Sequence, residues 1–259
     1  MDQARAKILT LKISRITREE LIDGLSSGYS KPRRKYACFA NVHMCIETLR
    51  SNEVRESVNG ADYVLPDGYP LVLALRLMYG IRQERIPGMD MMPAILARAQ
   101  QDSVPVFFYG SSETVLSKLA EKVGKDFPFV KIAGLISPPY RALTDSEIAM
   151  HREKINLSGA GYVFVGLGCP KQEIWMAENS PYINAILLGV GGAFEVYAGI
   201  RRRAPLWMQK IGMEWFFRFI QEPQRLWKRY LTSNLLFIIL IVFAILKSRI
   251  VGHKINLKI

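Results

Sequence analysis

Short apolar runs alternate with segments of helical spacing along most of the chain. The strand-like runs are residues 36–40, 62–65, 104–109, 129–133, 162–165 and 185–188. Between them lie segments with helical pattern or helix-start signals. Residues 42–50 are one. Residues 70–78 follow the Asp67-Gly68 turn and carry Pro70 in the first turn, where a missing N–H does no harm. Residues 91–101 come next, then 111–123 with Ser111 or Ser112 as N-cap. Residues 144–155 open with Thr144 and Glu147 at capping-box spacing, and 170–177 form the last of the series. This alternation predicts an α/β fold, a Rossmann-like, mostly parallel sheet covered by helices. Ligands of such sheets lie outside the carboxyl ends of the strands. The loops of interest are therefore 41–43, 66–68, 110–112, 134–139, 166–172 and 189–192.

The pattern changes after Gly199. Three arginines, Arg201 to Arg203, precede a run of helices rich in aromatics, and Pro223 starts another helix. That helix leads into LLFIILIVFAIL, residues 235–246, twelve uninterrupted apolar residues flanked by Lys228, Arg229, Lys247 and Arg249. Twelve is short of the roughly 17–25 residues a spanning helix needs. A membrane-embedded or interfacial helix, a buried core helix and a full span all remain open. The division expected is a catalytic α/β domain over 1–199 and a helical, membrane-associating appendage over 200–259.

Composition sharpens this picture in two respects. Hydrophobic residues make up 49% of 259, enough for a sizeable core. The net charge is +12, and residues 200–259 hold 12 basic against 2 acidic residues, a balance of +10. Such a tail suits a polyanionic partner, a membrane surface or nucleic acid. The apolar run beside it favours lipid headgroups. Cys38, Cys45 and Cys169, with His43, His151 and His253, have no metal-ligand spacing. No metal and no cofactor are expected. The opening MDQARAKILT lacks the apolar stretch of a signal peptide.

Candidate chemistry gathers at the strand ends. Asp67 sits at a tight turn between strand and helix. A carboxylate there can take the proton that an attacking hydroxyl loses, although the same place suits an ordinary Asp-Gly turn. Asn41 can hold a sugar hydroxyl or cap the helix that starts at Val42. Asp62 is assigned to its strand end and His43 to a structural role. Arg85 is a candidate for neutralising a diphosphate, or a surface arginine, and Asp90 is a natural N-cap after Pro87-Gly88. Three glycine turns, around Gly110, in VGLGCPKQEIW (residues 165–175) and around Gly191, resemble anion sites at helix N-termini. None is a complete dinucleotide fingerprint or P-loop. Arg218, Arg225 and Arg229 would share one face of a continuous helix, which Pro223 interrupts.

These residues carry a resemblance. FANVHM with Asn41, Pro66-Asp67-Gly68-Tyr69-Pro70-Leu71, residues 85–90, Phe108-Tyr109-Gly110, VGLGCPKQEIW, GVGGAFEVYAG, Arg203-Ala204-Pro205-x-Trp207, Gly212-Met213-Glu214-Trp215 and Glu222-Pro223-x-Arg225-Leu226 occur in order. From about Tyr36 to Tyr230 the chain resembles the WecG/TagA/CpsF family of bacterial glycosyltransferases. The resemblance implies inverting, metal-independent transfer of a sugar from a UDP-sugar to a polyprenyl-diphosphate-linked saccharide, at the cytoplasmic face of the inner membrane. Products of this kind feed teichoic acid, common-antigen, capsule or exopolysaccharide synthesis. It implies that Asp67 is the base, with Asn41 beside it. It places Arg85, Asp90, Gly110, Gly166, Gln172 and Gly191 toward substrate, Gln172 touching nucleotide or sugar. Arg218, Arg225 and Arg229 would come from the C-terminal segment. Phe39 stands where some members have Thr and Glu195 where many have Asp, which leaves the donor sugar open. A homo-oligomer also stays open, and no nucleic acid partner is expected. The fold pattern alone also permits a nicotinamide- or flavin-dependent oxidoreductase, and the basic tail permits a non-catalytic adaptor.

Overall fold

The structure is a computed structural model that describes residues 4–26 and 34–250, with only the backbone of Arg229 and of residues 248–250. His253 and the end of the tail lie outside the described residues. The chain first forms an antiparallel hairpin, β1 (Arg5–Ile8) and β2 (Leu11–Ser14), turned at Leu9 with φ +56°. Its alternating burial puts Ile8, Leu11 and Ile13 inward. Helix α1 (Arg18–Ser26) follows.

The remaining elements run β3 (Lys35–Ala40), α2 (Val42–Arg50), α3 (Asn52–Asn59), β4 (Tyr63–Pro66), α4 (Tyr69–Tyr79), α5 (Gly88–Gln101), β5 (Val106–Gly110), α6 (Glu113–Asp126), β6 (Ile132–Ile136), α7 (Asp145–Leu157), β7 (Tyr162–Gly166), α8 (Lys171–Asn179) and β8 (Ile186–Gly189). Four more helices complete them: α9 (Ala193–Tyr197), α10 (Leu206–Lys210), α11 (Glu214–Gln221) and α12 (Pro223–Ile250). Six strands pair in parallel in the order β4-β3-β8-β7-β5-β6. The α/β sheet expected from the sequence is the sheet observed.

Central strands buried on both faces explain the continuous apolar runs. Successive residues still point to opposite sides. Cys38 and Ala40 of β3 join the core under α2, α3, α4 and α8, while Ala37 and Phe39 join the one under α1, α5, α6 and α9. β3 crosses outward to the edge strand β4, and β8 arrives from the other side. The strand order thus reverses beside β3, the usual position of a ligand crevice.

Several boundaries differ from expectation. The strand expected at 129–133 is β6 and lies at Ile132–Ile136, because residues 127–130 form a turn closed by Val130 N–H to the Phe127 carbonyl, leaving Phe129 exposed. Gly134 lies within this strand because a Cβ there would stand 2.4 Å from the Phe107 ring. Ser112 caps α6, while Ser111 takes a φ of +63°. Asp90 lies inside the first turn of α5, which starts at Gly88 after Pro87, and is not its N-cap. Thr144 and Glu147 form both hydrogen bonds of the capping box.

The apolar run belongs to a much longer helix. α12 has 28 residues, and Pro223–Lys247 is long and apolar enough to cross a membrane by length and composition. One face of it packs on the body: Leu226, Phe237 and Ile241 are buried, the last two in the core with α2 and α4. Leu235, Ile239, Val242, Phe243 and Leu246 remain exposed.

Candidate active site

A cavity of about 290 Å³ opens over the carboxyl ends of β3 and β4. Its floor comes from the sheet edge, with Asn41, His43, Asp67 and Arg85. Its roof comes from the C-terminal segment, with Glu214, Trp215 and Arg218 on α11 and Tyr230, Asn234 and Phe237 on α12. The cavity is therefore polar at the strand ends, while Leu226, Phe237 and Ile238 make its α12 side mainly apolar, interrupted by Tyr230 and Asn234.

The backbone explains how the floor is assembled. Asp67 N–H donates to the Ala40 carbonyl at 2.8 Å, and Gly68 N–H donates to the same oxygen at 3.2 Å. The β3–β4 ladder thus continues one step past the strand end. Glycine lets this turn lie tight on Asn41, because a Cβ on residue 68 would stand 3.3 Å from Asn41 Cα. Ile86 N–H donates to the Pro66 carbonyl at 2.9 Å and draws the Arg85 loop against Asp67.

Asp67 borders the cavity and is otherwise enclosed by protein. Its carboxyl is pushed up to about 7, chiefly by desolvation. Arg85 and Arg218 act against that rise, and Glu214 and Asp90 add to it. A carboxyl poised near neutrality has the proton affinity of an efficient general base. Asn41 Oδ1 accepts from Met44 N–H at 3.1 Å, so this side chain caps α2 while it lines the cavity. His43 also lines the cavity, with Nδ1 3.4 Å from the Ser233 hydroxyl of α12.

Arg85 is no surface arginine. Its Nη1 donates to Glu214 Oε2 at 2.9 Å, across the junction with the C-terminal segment. Arg203 donates to Asp90 Oδ1 and, through Nε, to Glu214 Oε1 at 3.3 Å. Asp90 thus serves an ion-pair cluster and does not line the cavity.

Arg218 and Arg225 do not share a helix face. Glu222, with φ −137° and ψ 59°, breaks the helix before Pro223 and sends α11 and α12 in different directions. Arg218 lines the cavity, whereas Arg225 is exposed and pairs with Glu222 at 3.1 Å. The Arg229 side chain lies outside the described residues.

The three glycine turns come together at the sheet edge beside the cavity. Gly110 pairs with Gly166 and takes φ +112°, and a Cβ on it would meet the Gly166 backbone at 2.7 Å. Gly191 lies with φ +53° over the Gln172 amide. Gln172, expected at nucleotide or sugar, points inward. Its Oε1 accepts from Gly168 N–H at 3.3 Å, and its Nε2 donates to the Gly189 carbonyl at 2.9 Å and to Glu173 at 2.7 Å. It ties the β7 turn to the β8 turn. Arg218 links this edge to the cavity, with Nη2 3.3 Å from where a Cβ on Gly192 would stand.

Sequence reasoning assigned no site role to Glu214, Tyr230 or Asn234. For Glu214 a signal existed. It is one of only two acids among the twelve bases of residues 200–259, and both acids are ion-paired. Among the described residues no group of three or more His, Cys, Asp or Glu is arranged to hold a metal ion.

Comparison with known proteins fits this arrangement. The pattern described as "Glycosyl transferase WecG/TagA/CpsF family" matches residues 6–250. The chain belongs to that family. The match extends the resemblance at both ends, taking in all of the hairpin but Arg5 and the whole of α12. Among characterised relatives, an N-acetylglucosaminyldiphosphoundecaprenol N-acetyl-beta-D-mannosaminyltransferase of Bacillus spizizenii is 33% identical over 197 residues, 74% of this chain and 73% of its own. The Bacillus subtilis protein of the same name is 32% identical over 196 residues, again 74% and 73%. Family membership makes the protein a glycosyltransferase and stands against the oxidoreductase and adaptor readings.

Proposed function

We propose that this glycosyltransferase moves an N-acetylhexosaminyl-type sugar, with inversion, from a UDP-sugar to a polyprenyl-diphosphate-linked saccharide. The observation that carries the proposal is a carboxyl poised near pH 7, flanked by two arginines, in a cavity with one apolar wall. In the reaction the acceptor oxygen attacks the anomeric carbon and forms the new glycosidic bond. The bond from that carbon to the diphosphate oxygen breaks, and its electron pair leaves with UDP. Asp67 takes the hydroxyl proton. Arg218 and Arg85 neutralise the leaving diphosphate in place of a metal. The relatives' names support this choice of acceptor. The β-linkage in those names fits inversion, given the α-linkage usual in UDP-sugars.

The glycine edge joined to Arg218 is the place for the nucleotide, and the α12 wall the place for the start of the lipid. Membrane association follows from the exposed apolar face of α12. A helix seated along α2 and α4 by Phe237 and Ile241 is placed to lie in the interface, with its free face in lipid. The basic residues of the tail suit the anionic leaflet, which is the cytoplasmic one. A screen of UDP-sugars against a synthetic polyprenyl-diphosphate N-acetylglucosamine, read as UDP release and product linkage, tests the proposal. No UDP release with any donor, or an α-linked product from an α-linked donor, would overturn it.

A further inference from the structure

The C-terminal segment is held to the body by crossed ion pairs. Arg203 of the segment reaches Asp90 of α5, and Glu214 of α11 reaches Arg85 of the body. Arg203 also returns to Glu214, so this carboxylate lies between two guanidinium groups from opposite sides of the joint. Glu214 is nearly buried, its side chain only 12% exposed. A surface tether would need none of this enclosure, and Arg201 already provides one through Glu195 and Glu222.

We propose that Glu214 is a positioning residue for the reaction: it holds Arg85 at the cavity floor and offsets the charge that Arg85 presents to Asp67. The inference rests on the reading of Asp67 as the base. Left alone, Arg85 would favour the carboxylate form of Asp67 and make it a weaker proton acceptor. Glu214 acts in the opposite direction. The other charged and titratable groups around Asp67 are Asp90 on α5, Arg218 on α11, His43 on α2, Tyr69 at the start of α4 and Tyr230 on α12. Of these, Arg218 and Glu214 come from the same helix, one residue of each sign. Docking of α11 therefore brings both the cation for the diphosphate and an anion that adds to the basicity desolvation gives Asp67.

The test is the pH profile of kcat for wild type, Glu214→Gln, Glu214→Asp and Asp67→Asn, on the full chain with saturating substrates. Glu214→Gln keeps a hydrogen-bond acceptor for Arg85 but removes the charge. Its acid limb moves to lower pH and its plateau rate falls. Glu214→Asp keeps the charge but draws it back by one methylene. Its limb stays in place while kcat falls by up to about 10²-fold, the cost of a misplacement on the order of 1 Å. A Glu214→Gln limb that coincides with wild type overturns the proposal and leaves Glu214 a tether. Should Glu214→Gln fail to fold, Arg85→Gln tests the pair from its other side. Its limb must then move to higher pH, and an unmoved limb is again fatal. Asp67→Asn separates the two readings. If it keeps turnover, the base assignment falls and this inference with it. If it is inactive while the Glu214→Gln limb is unmoved, only the role of Glu214 falls.

Discussion

Asp67 hangs from Ala40 by a 2.8 Å hydrogen bond between its amide and the Ala40 carbonyl. The candidate base is thus placed by the sheet itself and not by a mobile loop. Asn41, which follows Ala40 directly after the end of β3, comes beside it for the same reason, and its side chain is held by capping α2. A substitution that changes only the Asp67 carboxyl leaves this scaffold intact, so its effects report on the charge and the proton.

Asp67→Asn should lose about 10²–10⁴-fold in kcat, the usual contribution of a general base, while UDP-sugar affinity stays near wild type. Turnover by stopped assay and donor binding by calorimetry check this. Retention of more than half the wild-type rate would remove Asp67 from the mechanism.

The same variant should be more stable than wild type at alkaline pH. The folded-state carboxyl lies at about 7, above its ordinary value of 3.8. The folded protein then holds this proton more tightly than the unfolded chain. Its contribution to stability is fully present below pH 3.8 and is lost as pH rises through 7. Asparagine has no such dependence. The Tm of Asp67→Asn should exceed that of wild type at about pH 8, and the gap should narrow as pH falls toward about 4. Equal gaps at about pH 5 and about pH 8 would show that desolvation does not perturb this group.

Much of this site is legible in the amino-acid sequence, for physical reasons. β3, β5, β7 and β8 are buried on both faces and stand out as apolar runs. A parallel sheet then forces Asn41 and Asp67 to one edge. Other features leave no such trace. RAKI and LKIS of the hairpin do alternate polar and apolar residues, but at four residues each the runs are too short to stand out, and NEVRESVN of α3 buries only Val54, Ser57 and Val58. The Arg85–Glu214 pair joins residues 129 positions apart, a contact no local pattern encodes. The inward hydrogen bonds of Gln172 also leave no trace, because a glycine-flanked amide at a strand end looks the same whether it faces a ligand or ties two turns together.

Turnover should survive EDTA. Two arginines border the cavity where the leaving diphosphate is placed, and among the described residues no cluster has the ligands for a cation. Rates with chelator in large excess over trace metal should match those without it, with none of the loss a metal-dependent step would show. Complete loss, restored by Mg²⁺ or Mn²⁺, would move the charge-neutralising role from the arginines to a substrate-bound ion.

The last prediction separates the two faces of α12. Phe237 and Ile241 seat it on the body, and truncating the helix would remove a cavity wall together with any membrane contact. Replacing Ile239, Val242, Phe243 and Leu246 by Ser, Thr, Gln and Gln instead alters only exposed positions, each at least half exposed. Full burial of such side chains in an apolar phase contributes about 1.5–3 kcal/mol each. Even a fraction of that, summed over four, exceeds the roughly 1.4 kcal/mol of a tenfold change in binding. The quadruple variant should keep wild-type UDP-sugar affinity and wild-type turnover on a short, water-soluble acceptor. It should lose at least tenfold in flotation with vesicles containing anionic lipid, and turn over poorly with a long-chain acceptor embedded in them. Unchanged flotation would show that the exposed face of α12 does not hold the protein on lipid.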